Sequence, residues 1–285
     1  MLTARPSPAP GTPSMSRPQT ELATQFHALH HDGLLLLANA WDAGSARMIE
    51  SLGAKAMATT SAGVAWSHGY PDGDLLPVRR LVATVADIVR AIQIPLTVDA
   101  EGGYSDDPAA VAETVSGLID VGAVGINLED GGQDPDLLCA KIEHIKRASA
   151  RLGIALYLNA RTDVYLRGLA PPEQRVEATL ARAARYRAAG ADGLFVPGLT
   201  DEAQTRAIAS EAGLPLNLLA RPALPSAEVL QTWGVRRLSA GSDIAQSMYT
   251  RMSALASGFL RDGDSRPLGA DATPYSQLNA LFEGR

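Results

Sequence analysis

The chain of 285 residues has one cysteine, Cys139, which excludes an intrachain disulfide and any cysteine-rich zinc or iron–sulfur site. A reducing, cytoplasmic setting is the expectation. Aromatic residues reach only 5%, so the core must be built from aliphatic and small side chains. The net charge is −6, which leaves no basic surplus to attract nucleic acid or an anionic membrane. No apolar run approaches the roughly 18 residues that a membrane span requires. A Gly-x-Gly-x-x-Gly turn after an early strand is missing, as are a phosphate loop and a recognisable Ser-His-Asp arrangement. The first 20 residues lack the apolar region of a signal peptide and carry five of the 18 prolines. Residues 1–20 are therefore expected to be a disordered, Pro-rich tail. Residues 21–285 are expected to form one domain.

What is present is 46% apolar residues with 20% charged, enough for a large core. Short apolar runs alternate with longer amphipathic stretches. The runs are Leu34–Ala38, Lys55–Thr59, Pro95–Ala100, Gly125–Leu128, Ile154–Asn159, Gly193–Val196, Leu216–Leu219 and Arg237–Ser239. Each reads as a strand buried on both faces. Helical patterns are clearest at Pro77–Ile92, Pro108–Val121, Asp136–Arg151 and Pro172–Ala189. Gly53, Gly122, Gly190 and Gly234 recur just before strands, as glycines that end helices do. Eight β-then-α units in about 220 residues predict an α/β fold, a single (β/α)8 barrel. The stretch from Asp243 onward adds one more helix and an arm, Tyr275–Phe282, that packs on the barrel or on a neighbour.

Function in such a barrel gathers at the C-terminal ends of the strands. The densest piece is Pro95-Leu-Thr-Val-Asp-Ala-Glu-Gly-Gly-Tyr104. Strand alternation puts Thr97, Asp99 and Glu101 on one face. Two carboxylates so close repel unless one is protonated or a cation lies between them. Glu129 ends the next strand and Asp72 can reach in from its loop. Such an oxygen-only set suits Mg²⁺ or Mn²⁺. The alternative is that these acids cap helices and satisfy loop amides. Arg161, after another strand, can grip a carboxylate bidentately, pair with Asp163 or Glu129, or do both. Thr59-Thr-Ser-Ala-Gly63 is either an anion-binding loop or a plain tight turn. His27, His30 and His31 are expected on a surface helix, and Cys139 on a packed helix face.

Six segments in order carry a resemblance. They are Asn39-Ala-Trp-Asp-Ala-Gly-Ser45, Thr59-Thr-Ser-Ala-Gly-Val64, Gly69-Tyr-Pro-Asp-Gly73, Val98-Asp-Ala-Glu-Gly-Gly-Tyr104, Gly125-Ile-Asn-Leu-Glu-Asp130 and Asn159-Ala-Arg-Thr-Asp163. Over about Leu34 to Ser242 the chain resembles the isocitrate lyase/phosphoenolpyruvate mutase superfamily. The resemblance implies a (β/α)8 barrel, usually tetrameric, with its last helix exchanged between subunits. It also implies Mg²⁺ and a small 2-oxo acid or its enolate. Asp99 then corresponds to the direct metal ligand, and Asp72, Glu101 and Glu129 to acids acting through water. Thr60, Ser61 and Ala62 correspond to the cradle of the substrate carboxylate and oxyanion. Arg161 corresponds to the substrate-binding arginine, and Asn217 in Pro215-Leu-Asn217 to a late-strand polar contact.

Departures narrow the expectation. Lyase members carry a Lys-Lys/Arg-Cys-Gly-His segment after the Glu-Asp pair, whereas Gly131-Gly-Gln-Asp-Pro-Asp136 stands here. The gating lysine of phosphonate-processing members is missing too, and Asp192-Gly-Leu-Phe-Val-Pro197 has proline where several of them have histidine. The expected activity is Mg²⁺-dependent cleavage of a C–C bond in a small 2-oxo or 2-hydroxy dicarboxylic acid, with Arg161 and Glu129 as catalytic residues. Decarboxylation suits the missing cysteine. The alternatives are isocitrate-type cleavage with a substitute acid, P–C bond chemistry, or a non-catalytic binder of 2-oxo acids.

Overall fold

The computed structural model describes residues 17–283. Most of the expected tail therefore lies outside the described residues, and Gln19 already begins the first helix, α1 (Gln19–Leu29). Among the described residues nine short parallel strands form one sheet: β1 (Leu35–Leu37), β2 (Asn39–Ala40), β3 (Met57–Thr59), β4 (Leu96–Asp99), β5 (Gly125–Glu129), β6 (Tyr157–Arg161), β7 (Gly193–Phe195), β8 (Leu216–Leu219) and β9 (Val235–Ser239). β1 pairs with β9 and β2 with β3. The two are pieces of one strand parted at Ala38, and together they close the sheet into a barrel of eight positions. The alternation of strand and helix in the sequence thus becomes a TIM-barrel-like α/β fold.

The outer layer is α2 (Ala43–Ser51), α3 (Ser61–Ser67), α4 (Val78–Ala91), α5 (Pro108–Asp120), α6 (Pro135–Arg151), α7 (Arg175–Ala189), α8 (Glu202–Glu211), α9 (Ala227–Thr232) and α10 (Asp243–Asp262). Acidic residues start several of them. Asp42 accepts from the Ser45 amide at 2.6 Å in a capping box, and Asp107 and Asp134 cap helices that begin with proline. Leu81, Val85 and Ile88 of α4 are buried at helical spacing, as the amphipathic pattern requires. The four glycines before strands have positive φ, 91° at Gly53, 109° at Gly122, 112° at Gly190 and 91° at Gly234. Left-handed backbone at those turns carries no Cβ penalty for glycine.

Two expectations change. Thr59–Gly63 is not an open loop, because Ser61 begins α3 and Thr60 is its N-terminal cap position. His30 is not on the surface but 1% exposed. α1 plugs the floor of the barrel with Phe26, which packs among Leu35, Leu37, Ala58, Val124 and Tyr157. The His30 ring stacks on Tyr157 at 3.9 Å, and Nδ1 donates to the Phe26 carbonyl at 2.8 Å. Gly125 makes room for this plug, since a Cβ there would lie 2.7 Å from Phe26 Cε1.

After α10 come α11 (Arg266–Ala270) and α12 (Tyr275–Ala280), the expected arm. Only Ala245 of α10 is buried. Arg47 Nε donates to the Leu281 carbonyl at 2.9 Å and ties the arm to α2. Among the described residues, no helix is long and apolar enough to cross a membrane.

Candidate active site

At the C-terminal end of the strands lies a cavity of about 110 Å³. Asp72, Asp99, Thr60, Ser61, Ala62 and Arg161 all line it, so six of the residues singled out in the sequence meet there. Asp99 is the last residue of β4, and its amide donates to Thr59 Oγ1 at 2.9 Å. The Ser61 amide donates to Asp99 Oδ2 at 3.3 Å, and the Ser61 hydroxyl bonds Asp72. Burial pushes the Asp72 carboxyl up. The Ser61 hydrogen bond opposes this and the neighbouring Asp99 reinforces it.

Arg161 ends β6 and is clamped from two sides. Its Nη1 lies 2.6 Å from Glu129 Oε2, while Nε and Nη2 donate to Asp163 at 2.7 and 3.1 Å. Asp163 is wholly buried and also takes Arg167 at 2.9 Å. Phe195 places its ring 5.9 Å from the guanidinium carbon. Ion pairing and a position on the cavity wall thus hold together for Arg161. Burial pushes the Glu129 carboxyl up, Arg161 pulls it down, and Asp99 and Asp163 push it further up. Glu129 itself does not line the cavity with Asp99. It faces a second space of about 400 Å³ with Asp74, Lys141 and Arg167. The Arg161–Glu129 pair stands between the two spaces.

Glu101 departs from the expected strand face. β4 ends at Asp99, and Glu101 has φ 51°, which turns its carboxylate away from the alternation. The carboxylate instead accepts from the Gly73 amide at 2.8 Å, from the Asp74 amide and from Tyr104 Oη at 2.6 Å. Asp74 answers by accepting from the Gly102 and Tyr104 amides at 3.2 and 3.0 Å. The two loops over the mouth are cross-linked in this way. Their residues Asp74, Glu101 and Tyr104 are the non-glycine positions with positive φ among the described residues. Satisfying loop amides, one of the two readings of these acids, holds for Glu101.

Asn217 is buried on β8 one layer below the cavity, where Ser239 Oγ donates to its Oδ1 at 3.3 Å. Asn39, which opens the first of the six motifs, also lines the cavity, as does Asn127, which sequence reasoning did not single out. Asn127 was within reach, because it precedes Glu129 by two residues on β5 and so shares its face. Asn39 closes the barrel by donating to the Thr59 carbonyl at 2.8 Å and accepting from the Gly241 amide at 2.9 Å.

Comparison with known proteins decides the family. The family model described as phosphoenolpyruvate phosphomutase matches residues 26–260. The chain belongs to the phosphoenolpyruvate phosphomutase family. It is 38% identical over 261 residues to an uncharacterized protein of Mycobacterium tuberculosis, covering 90% of this chain and 95% of that one. It is 29% identical to the oxaloacetate decarboxylase of Paraburkholderia xenovorans over 258 residues, 85% of each chain. Its fold matches a solved 2,3-dimethylmalate lyase, a member of the PEP mutase/isocitrate lyase superfamily, with TM-score 0.80 and 28% identity over 91% of this chain and 94% of that one.

In this member of the phosphoenolpyruvate phosphomutase family, the wall after Glu129 is built on a buried acid. Asp130 is buried and held by Arg182 at 2.6 Å and Tyr186 at 2.7 Å, and Asp134 starts α6 directly after the short loop. Cys139 lies on α6, packed against the core, with its thiol pushed up by burial. It does not line the cavity.

The donor set bears on the metal that the family's chemistry implies. No three His, Cys, Asp or Glu side chains among the described residues converge on one point. Asp99 and Asp72 are the acids facing the cavity, joined through Ser61. A pair of carboxylates in a small cavity fits a hard cation that keeps much of its water, as Mg²⁺ does.

Proposed function

We propose that this protein is a Mg²⁺-dependent carbon–carbon lyase acting on a small 2-oxo or 2-hydroxy dicarboxylic acid. The observation that carries this reading is Arg161, clamped by Glu129 and Asp163, on the wall of a cavity that Asp72 and Asp99 also line. Asp99 would hold the cation directly and Asp72 through water, with Glu101 and Glu129 acting from farther back. When bound, Mg²⁺ supplies positive charge where oxyanion character develops.

The chain's own groups account for the rest. Arg161 binds a substrate carboxylate, and its bidentate bond to Asp163 keeps it from following the substrate out. Thr60, Ser61 and Ala62 border the space where a carboxylate or enolate oxygen sits. Decarboxylation breaks the bond between C3 and the carboxylate carbon. The electron pair stays on the 2-oxo fragment as an enolate, and CO₂ leaves without taking a proton. That chemistry suits a mouth without the cysteine acid loop, because solvent can reprotonate the enolate. The oxaloacetate decarboxylase among the relatives favours this choice.

A second reading is cleavage of a longer, branched acid into two acids. It draws on the space of about 400 Å³ beyond the Arg161–Glu129 pair, which gives room for a distal group, and on the likeness to 2,3-dimethylmalate lyase. A panel of 2-oxo and 2-hydroxy dicarboxylic acids, assayed with and without EDTA, tests both. CO₂ with a 2-oxo acid supports decarboxylation, and two acids support the second reading. No turnover of any member contradicts both.

We also propose a homo-oligomer with an exchanged C-terminal helix. Leu36 on the barrel's outer face is 54% exposed, and Met248, Met252 and Phe259 of α10 stand in solvent. Sedimentation equilibrium giving a monomer at micromolar concentration contradicts it.

A further inference from the structure

Below the cavity, the barrel interior holds a layer of polar side chains where hydropathy alone expects aliphatic ones. Arg237 on β9 is its centre, 1% exposed. Arg237 Nη2 donates to Asn127 Oδ1 at 3.0 Å, and Asn159 Nδ2 donates to the same oxygen at 3.0 Å. Nε and Nη1 of Arg237 are buried without a hydrogen-bond partner among the described residues. No carboxylate forms an ion pair with this guanidinium among the described residues. Burying a cation with two unpaired N–H groups costs stability, so stability does not explain the residue.

Arg237 decides which way the Asn127 amide points. A guanidinium only donates, so the group facing it must be Oδ1. Flipping the amide would set its NH₂ against Arg237 and lose both hydrogen bonds to Oδ1. The Nδ2 group is therefore turned away from Arg237. Asn127 pairs in register with Asp99 on β4 and Asn159 on β6, and it lines the cavity floor. Among the described residues Nδ2 has no acceptor.

We propose that Asn127 is a substrate-binding residue, donating from Nδ2 to an anionic oxygen of a bound 2-oxo acid, and that Arg237 is the positioning residue that fixes this orientation. The buried charge of Arg237 also lies one layer beneath the cavity floor and favours an anion there. This inference rests on the function proposed above, and it adds a contact that the motifs did not reveal.

The test uses the full chain and oxalate, a planar dianion that mimics the enolate of a 2-oxo acid, in the presence of Mg²⁺. Side-chain amide spectra of asparagine-labelled wild type are compared with those of Asn127→Asp, which identifies the Asn127 pair by its loss. Addition of oxalate is expected to shift that pair. Calorimetry is expected to give a Kd about tenfold weaker or more for Asn127→Asp. The melting temperature of that variant should hold or rise, because the new carboxylate still faces Arg237. Arg237→Gln, whose amide both donates and accepts, should weaken oxalate several-fold and blunt the shift of the Asn127 pair. Oxalate binding that leaves the Asn127 pair unmoved overturns the inference alone. A wild type that binds no oxalate with Mg²⁺ overturns it together with the proposed function.

Discussion

At the floor of the barrel, Phe26, His30 and Tyr157 fill the space among Leu35, Ala58 and Val124, and the aromatic rings meet at 3.9 to 5.4 Å. At the mouth, β4, β5 and β6 end in Asp99, Glu129 and Arg161, and three non-glycine residues in the loops above hold left-handed backbone. One end removes water and gains stability from burial. The other keeps charged groups half-buried, ties them with hydrogen bonds and carries the backbone strain. A barrel can tolerate the second end because burial at the first stabilises the fold.

The comparison breaks first at Phe26. Phe26→Ala empties the plug and should cost about 3–5 kcal/mol in denaturant unfolding. Catalytic turnover per folded molecule should stay close to wild type, because Phe26 lines neither of the two spaces at the mouth. A loss of turnover without a loss of stability would reverse the division between the two ends. Arg161→Lys is the converse. It keeps the charge but not the two-sided fork, and should lower kcat/KM about 100-fold or more while unfolding changes by about 1 kcal/mol.

A smaller effect sharpens the floor. Burial holds the His30 imidazole down to about 3, against 6.5 in the open chain, and Arg237 adds to this. The folded protein therefore keeps His30 neutral while the unfolded chain takes up a proton below pH 6.5. Stability is complete above that pH and drains away as pH falls from 6.5 toward 3. Between pH 7 and 5 the loss from this one group is about 2 kcal/mol. His30→Phe should lose less than wild type over that interval by the same amount, read from unfolding curves at both pH values. Equal losses in the two proteins would remove His30 from the account.

Much of the barrel was legible in the sequence because buried parallel strands are short and apolar and because glycines mark the turns before them. Gly53, Gly122, Gly190 and Gly234 fell as expected. Asp99 and Arg161 were legible because strand ends in a barrel converge, and Asp72 because its loop lies above them. Glu101 was misplaced because alternation stops where β4 stops, and φ at a single residue redirects the carboxylate. His30 was misread for a related reason. Ala23, Phe26 and His30 share one helix face, but a histidine counts as polar until a neighbouring ring covers it. Arg237 lay in a run of only three residues and points inward, against the apolar pattern that marks a core.

The central claim is that Asp99 and its neighbours make the mouth a Mg²⁺-dependent lyase site. Steady-state turnover of oxaloacetate and related dicarboxylic acids by wild type and Asp99→Ala, across a Mg²⁺ titration after EDTA treatment, tests it most directly. The account predicts wild-type activity that is lost with EDTA and restored by Mg²⁺, and an Asp99→Ala enzyme that Mg²⁺ does not rescue. Full turnover by Asp99→Ala, or by the EDTA-treated wild type, would contradict it.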